Sequence, residues 1–189
     1  MAEFFDRLED DHVAMLAKQP VFFVATAAKD GRINLSPKGY DAFRVLGPNR
    51  VAYLDIAGSG NETHAHLTVD GRITIMVCNF EQPALILRLY GTGKPVLPQD
   101  DGWDELAQHF TLLPGTRQIF DISVESVQTS CGWGVPFMQF ERERETLVKY
   151  YAGTDPDEYV RKRQMRNRSI DGIETRPTDR FIEGERPDG

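Results

Sequence analysis

The sequence predicts a mainly β protein with flanking helices, its strands forming one closed antiparallel sheet, a small barrel. Three observations lead there. Runs rich in Val, Ile, Phe and Thr recur between residues 20 and 131, each bounded by Gly, Pro, Asn or Asp. Most connections between them suit hairpins and are too short for a βαβ crossover. Closing such a sheet removes the exposed edges an open one would carry. At 189 residues the chain has length for one sizeable core.

The elements follow in order. "FFDRLEDDHVAMLAKQ" spaces Leu8, Val13, Leu16 and Ala17 as a helix that Pro20 stops. "VFFVATAAKDGRINLSPKG" is a hairpin turning at Asp30-Gly31, and "FRVLGPNRVAYLDI" a second one turning at Gly47-Pro48-Asn49. "HAHLTVDG" is a short helix ending at Gly71, followed by the strand "RITIMVCNF". "ALILRLYGTGKPVL" is a long strand, bent or bulged at Gly91-Thr92-Gly93. A short helix, "GWDELAQHF", then precedes the strand "RQIFDISVESVQTSC".

Residues 1–150 are thus expected to form the barrel domain, and residues 151–189 a charged C-terminal helix and tail. "ERERETLVKYYAG" and the stretch Pro156 to Arg168 are helical in pattern, the second with only Tyr159, Val160 and Met165 to bury. "RPTDRFIEGERPDG" is expected to be extended or disordered.

Composition narrows the function. The net charge of −7 argues against broad nucleic-acid binding, which rests on phosphate neutralisation. No apolar stretch is long enough to cross a bilayer, and the N-terminus is acidic where a secretory signal is basic, so a cytoplasmic location is expected. Cys78 and Cys131 are too few for a disulfide framework or a zinc cage and are expected to be reduced.

Three stretches carry candidate chemistry. In "AGSGNETHAHL", Ser59 and Glu62 have capping-box spacing, and Asn61 is a good N-cap. A helix start also exposes free backbone N–H groups, where a phosphate docks; Asn61 and Thr63 add neutral donors and Glu62 opposes an anion. His64 and His66 diverge by about 200° on a helix, so no metal site is expected and the pair is assigned no ligand role. In "RINLSPKG", Arg32, Asn34 and Ser36 share a strand face, with Lys38 just beyond, as either a polar outer face or the cation source for a phosphate. In "VQTSCGWGVP", Gln128, Thr129 and Ser130 lead to Trp133, an arrangement suited to a strand end or to a planar ligand.

The order of "FFVATAAKDGRINLSPKG", "NRVAYLDIAGSGNETHAHL", "GRITIMVCNF", "LRLYGTGKPV" and "VQTSCGWGVP" resembles the pyridoxamine 5′-phosphate oxidase-like family of FMN-binding split-barrel proteins. The closing "NRSIDG" is similar to the tail of one bacterial branch. The resemblance implies a six-stranded split β-barrel, a homodimer, and FMN at the subunit interface. By position it makes Ser36 and Lys38 phosphate contacts, together with Asn61 and Thr63 at the helix start, and sets Glu62 among the cofactor-binding residues. Leu54 and Asp55 would lie along the flavin edge, with Gln128 and Ser130 reaching the ring from the second subunit. Glu62 departs from the family's oxidase, which carries basic residues at that helix start. The C-terminal segment that holds pyridoxine in that oxidase is not recognisable here. The expected function is therefore electron or hydride transfer between FMN and a small organic substrate other than vitamin B6, with no catalytic side chain assigned. The alternatives are a non-enzymatic flavin or haem binder, a relative using the deazaflavin F420, and a metal-dependent hydrolase built on His64 and His66.

Overall fold

A computed structural model describes residues 2–185. Along the chain it contains β1 (Glu3–Phe5), α1 (Asp10–Lys18), β2 (Phe22–Thr26), β3 (Asn34–Lys38), β4 (Phe43–Gly47), β5 (Arg50–Ile56), α2 (Glu62–Val69), β6 (Arg72–Cys78), β7 (Leu85–Val96), α3 (Trp103–Ala107), β8 (Thr116–Cys131), α4 (Thr146–Ala152) and α5 (Pro156–Met165). The strands form one antiparallel sheet of eight in the order β3-β2-β6-β7-β8-β5-β4, with β1 added to β8. The sheet coils around an apolar core with β3 and β4 at the two ends of its path, so the barrel is split along that seam.

Inward-facing aromatics fill the seam. Phe22 of β2 lies 5.1 Å from Phe43 and 5.5 Å from Tyr53, and Tyr53 stacks on Phe120 of β8 at 4.8 Å. The two Phe22 contacts join β2 to β4 and β5, strands with which it shares no backbone ladder, and each ring contact is worth about 1 kcal/mol beyond its burial.

Eight strands replace the expected six, and β1 is one that pattern analysis misses. Residues 3–5 pair with Val127–Thr129 instead of starting the first helix. That helix begins only where Glu9 can cap it, its backbone N–H donating to His12 Nδ1 at 3.1 Å. The β2–β3 hairpin turns as expected, with Gly31 at φ +101° supplying the left-handed conformation.

A bulge divides the longest strand pair. The β7–β8 register shifts between Tyr90 and Gly91, and Glu125 is left without a partner. Before the bulge the even residues Gln118, Phe120 and Ile122 face the core. After it, Val127 and Thr129 do, and Gln128 and Ser130 face outward. A Cβ at Gly91 would stand 2.0 Å from the Ser123 carbonyl oxygen, so only glycine allows the strands to close here.

The C-terminal region departs from its expected pattern. Of "ERERETLVKYYAG", only Thr146–Ala152 is helical, because Glu143 accepts from the Tyr40 amide and the Tyr40 hydroxyl donates to the Arg144 carbonyl. These contacts hold residues 143–144 against Tyr40, outside the helix. α5 starts on an Asp155 cap with Pro156 at its first position. Its Tyr159 is buried against Tyr151 (5.7 Å) and Phe181 (4.9 Å), whereas Met165 is exposed. The tail has no helix or strand from residue 176 to 185 and is tied to the barrel, with Ile182 accepting from Gly115 N and Leu112 accepting from Glu185 N. The remainder of the expected extended or disordered tail, residues 186–189, lies outside the described residues.

Gly91→Ala should destabilise the protein by about 3 kcal/mol through overpacking against backbone that cannot yield. Urea unfolding of the variant beside the wild type measures it.

Candidate functional site at the open end of the barrel

Strand alternation sends Val51, Tyr53 and Asp55 of β5 to one face, together with Asn34, Ser36 and Lys38 of β3. Beyond the Tyr53–Phe120 stack this inner face turns from apolar to charged. Asp55, 2% exposed, accepts from Lys38 Nζ at 2.8 Å, from Arg117 Nη2 and Nε at 2.7 and 3.0 Å, and from Gln118 Nε2 at 2.9 Å. Burial alone would raise its pKa. The Arg117 and Lys38 charges overturn that effect and hold the carboxyl well below the usual carboxylate range.

The start of α2 closes over this cluster. Arg117 Nη1 donates to Gly60 O at 2.9 Å, and Gln118 Nε2 donates to Asn61 Oδ1 at 2.8 Å. Thr63 Oγ1 accepts from Asn34 Nδ2 at 3.1 Å, and the Ser36 hydroxyl donates to Asn34 Oδ1 at 3.0 Å. Asn61 is the N-cap but makes no side-chain capping bond. The Ser59–Glu62 capping box expected from spacing does not form, because the Glu62 carboxylate turns to Ile170 N, at 3.0 and 3.2 Å.

His64 joins the cluster too. The Arg176 amide donates to its Nε2 at 3.2 Å, which places the ring proton on Nδ1 for donation to Gln118 Oε1 at 2.6 Å. Burial first, and the Arg117 and Arg176 charges after it, lower its pKa to about 4 against the opposing Gln118 bond. The ring that sequence alone leaves without a role therefore fixes Gln118, and through it Asp55 and Asn61. His66 bonds elsewhere, to Thr26 Oγ1 at 3.0 Å.

Two buried donors have no partner among the described residues, Tyr53 Oη and Arg163 Nε. The Tyr53 hydroxyl sits beside Thr63. Outside the cluster, a groove of about 1190 Å³ passes Lys38, Phe23, Tyr40, Phe80 and Phe140. Lys38 thus borders both the polar cluster and an opening large enough for a cofactor-sized ligand.

Of the residues singled out from sequence, the structure gathers Ser36, Lys38, Asp55, Asn61 and Thr63, with Glu62 at the rim. Leu54 faces the opposite side of β5 and is buried in apolar surroundings. Gln128 and Ser130 lie on the outer sheet face, bonded to Tyr90 Oη (2.8 Å) and Arg88 Nη1 (3.0 Å). Gln128 shares a ladder row with Pro37 through Phe23, Met76 and Arg88, four strand spacings or about 19 Å measured along the curved sheet. Trp133 is 87% exposed. Sequence analysis missed Arg117, Gln118 and Arg163. Gln118 lies directly opposite Asp55, and Arg117 lies in the register shift between that pair and Ile56–Thr116, a relation that only the strand register reveals.

The His64 pKa of about 4 lies below its unfolded value of about 6.5, so its contribution is full above pH 6.5 and is lost as pH falls through 4. Stability should fall by about 3 kcal/mol over that interval from this group alone. Urea unfolding across pH 7 to 4 tests it, and the slope should flatten in His64→Gln.

Comparison with known proteins places this architecture. The chain matches the pyridoxamine 5′-phosphate oxidase family model over residues 8–131. It is 38% identical over 151 residues to the pyridoxamine 5′-phosphate oxidase family protein ustO of Aspergillus flavus, an alignment covering 77% of this chain and 61% of that protein. Among solved structures, a candidate pyridoxamine 5′-phosphate oxidase from Lactobacillus delbrueckii superposes with a TM-score of 0.53 at 18% identity, covering 65% of this chain and 94% of that one. HupZ of Group A Streptococcus gives 0.50 at 20% identity, covering 64% and 92%. With a matched region that runs from α1 to the end of β8, and so takes in the whole split sheet apart from β1, the chain belongs to the pyridoxamine 5′-phosphate oxidase family.

Proposed function

We propose that this protein is a flavoprotein that binds FMN with its phosphate at the start of α2 and its ring towards the groove beside Lys38. One observation carries the reading: a family member links Ser36 to Thr63 through Asn34, and Lys38 to Asn61 through Asp55 and Gln118, in one polar cluster at the start of α2. The donor set suits a phosphate. An ammonium, hydroxyls, a side-chain amide and the free N–H groups of a helix start converge there. The two acids are already engaged, Asp55 by Lys38 and Arg117, and Glu62 by Ile170 N.

When bound, the flavin supplies the redox chemistry, accepting or donating a hydride or single electrons. The chain's own residues hold it. Lys38 positions the phosphate end, Asp55 fixes Lys38, and Gln118 and His64 keep Asn61 oriented. The substrate class we propose is a small organic molecule entering through the groove.

The working form is a homodimer. Leu35, Phe137, Met138 and Phe140 are large apolar side chains left exposed, at the β3 edge and on the arm that follows β8. Their exposure favours burial against a second copy. Gln128 and Ser130, on the outer face, would then approach the flavin of the partner. No described helix is long and apolar enough to cross a membrane.

The purified protein should be yellow or turn yellow with FMN, and saturating FMN should raise its melting temperature. A colourless protein with neither spectral shift nor thermal stabilisation overturns the cofactor assignment. Reduction by a nicotinamide followed by turnover with an acceptor would establish an enzyme; binding without turnover would favour a carrier or sensor. Light scattering on the eluting protein should give twice the 21.4 kDa chain mass.

A further inference from the structure

The helix start that receives the anion in this reading has a charge problem. Its own side chains, Asn61, Glu62 and Thr63, include no cation. The nearest ones, Lys38 and Arg117, share the Asp55 carboxylate. A further cation comes from far along the chain. Arg163, on α5 and beyond the residues matched by the family model, extends to the loop leading into α2 and donates from Nη1 to Gly58 O at 3.0 Å. Its Nη2 donates to Tyr151 Oη at 3.1 Å, and its plane lies 5.2 Å from the Tyr159 ring centroid. A guanidinium has five N–H bonds; two are used here, and the buried Nε has no partner among the described residues. The unpartnered Tyr53 hydroxyl beside Thr63 independently marks the same helix start.

The segment after α5 explains where Glu62 points. Its carboxylate accepts from Ile170 N. Arg32 binds Asp171 through both its amide and its guanidinium. Arg176 reaches His64 through its amide and Asp100 through two guanidinium bonds of 2.8 and 2.6 Å. Glu62 is therefore one of several anchors holding this segment against α2 and the neighbouring loops, and the segment continues directly from the helix that carries Arg163.

We propose that Arg163 supplies a second cation, besides Lys38, to the anion-binding helix start, and that Glu62 is a positioning residue that anchors the segment carrying it. The inference rests on the assignment of a flavin phosphate to that helix start. It makes the C-terminal helix part of the ligand site, and it explains how an acid is tolerated beside an anion.

FMN and riboflavin differ by the phosphate alone, so titrating both into the purified full chain is decisive. In Arg163→Gln the FMN dissociation constant should rise about 10- to 100-fold, the range expected for one charge-assisted contact, while riboflavin binding stays within about twofold. Arg163→Met, which keeps the aliphatic stem over Tyr159, should behave alike, and Arg163→Lys should restore part of the FMN preference. Glu62→Ala discriminates by sign. If Glu62 faced the phosphate, removing it would tighten FMN; as an anchor, its removal should weaken FMN and add little to Arg163→Gln. An unchanged ratio of FMN to riboflavin affinity in Arg163→Gln and Arg163→Met, or tighter FMN binding by Glu62→Ala, overturns the inference while leaving the flavin assignment standing. A wild-type protein that binds neither ligand overturns that assignment first.

Discussion

The buried carboxylate of Asp55 is the constraint around which the rest of this structure is arranged. It lies where the barrel is split, and its partners come from β3 and β8, strands that do not pair with each other. A charge at that depth is tolerated because two cations and an amide share it; losing both cations would leave an uncompensated ion, which costs about 3–5 kcal/mol. The ion pairs therefore act across the seam as backbone ladders act elsewhere in the sheet. Their strength is local and directional, which suits a barrel end that must hold its shape beside an opening.

The same group sets the electrostatics of the candidate site. Two cations shared with one buried acid leave a modest positive excess in place of a strongly basic pocket. The neutral His64–Gln118 pair then transmits position without adding charge: its hydrogen bonds have one self-consistent direction from the Arg176 amide to Asp55 and Asn61. A helix start organised in this way is preorganised before any ligand arrives, which lowers the ordering cost of binding.

Much of the sheet was legible in the sequence because its signals are local. Asp30-Gly31 and Gly47-Pro48-Asn49 mark hairpins, Gly91 marks a bulge, and the glycines before Asn61 mark a helix start. What escaped depends on distant register or on contacts between remote segments. β1 has three residues and no periodicity to detect, and exists because β8 offers it an edge. Arg117 and Gln118 gain meaning only opposite β5. Glu62 carries the same S-x-x-E spacing as a capping box, but a backbone N–H from residue 170 competes for its carboxylate and wins. The charged sequence of α5 offers only Tyr159, Val160 and Met165 for burial, and what it cannot reveal is that Tyr159 docks the helix by meeting Tyr151 and Phe181.

The unpaired Glu125 in β8 acts as a frameshift written into a strand. On its N-terminal side the chain is read in one phase, with alternate residues serving the interior cluster. On its C-terminal side the phase is inverted, and Gln128 and Ser130 are turned to the outer surface. A single continuous strand can therefore serve two compartments, the inside of its own barrel and the face available to a neighbour. Residues along it can be compared between relatives only after the bulge has been located, since an alignment off by one place would exchange the two surfaces.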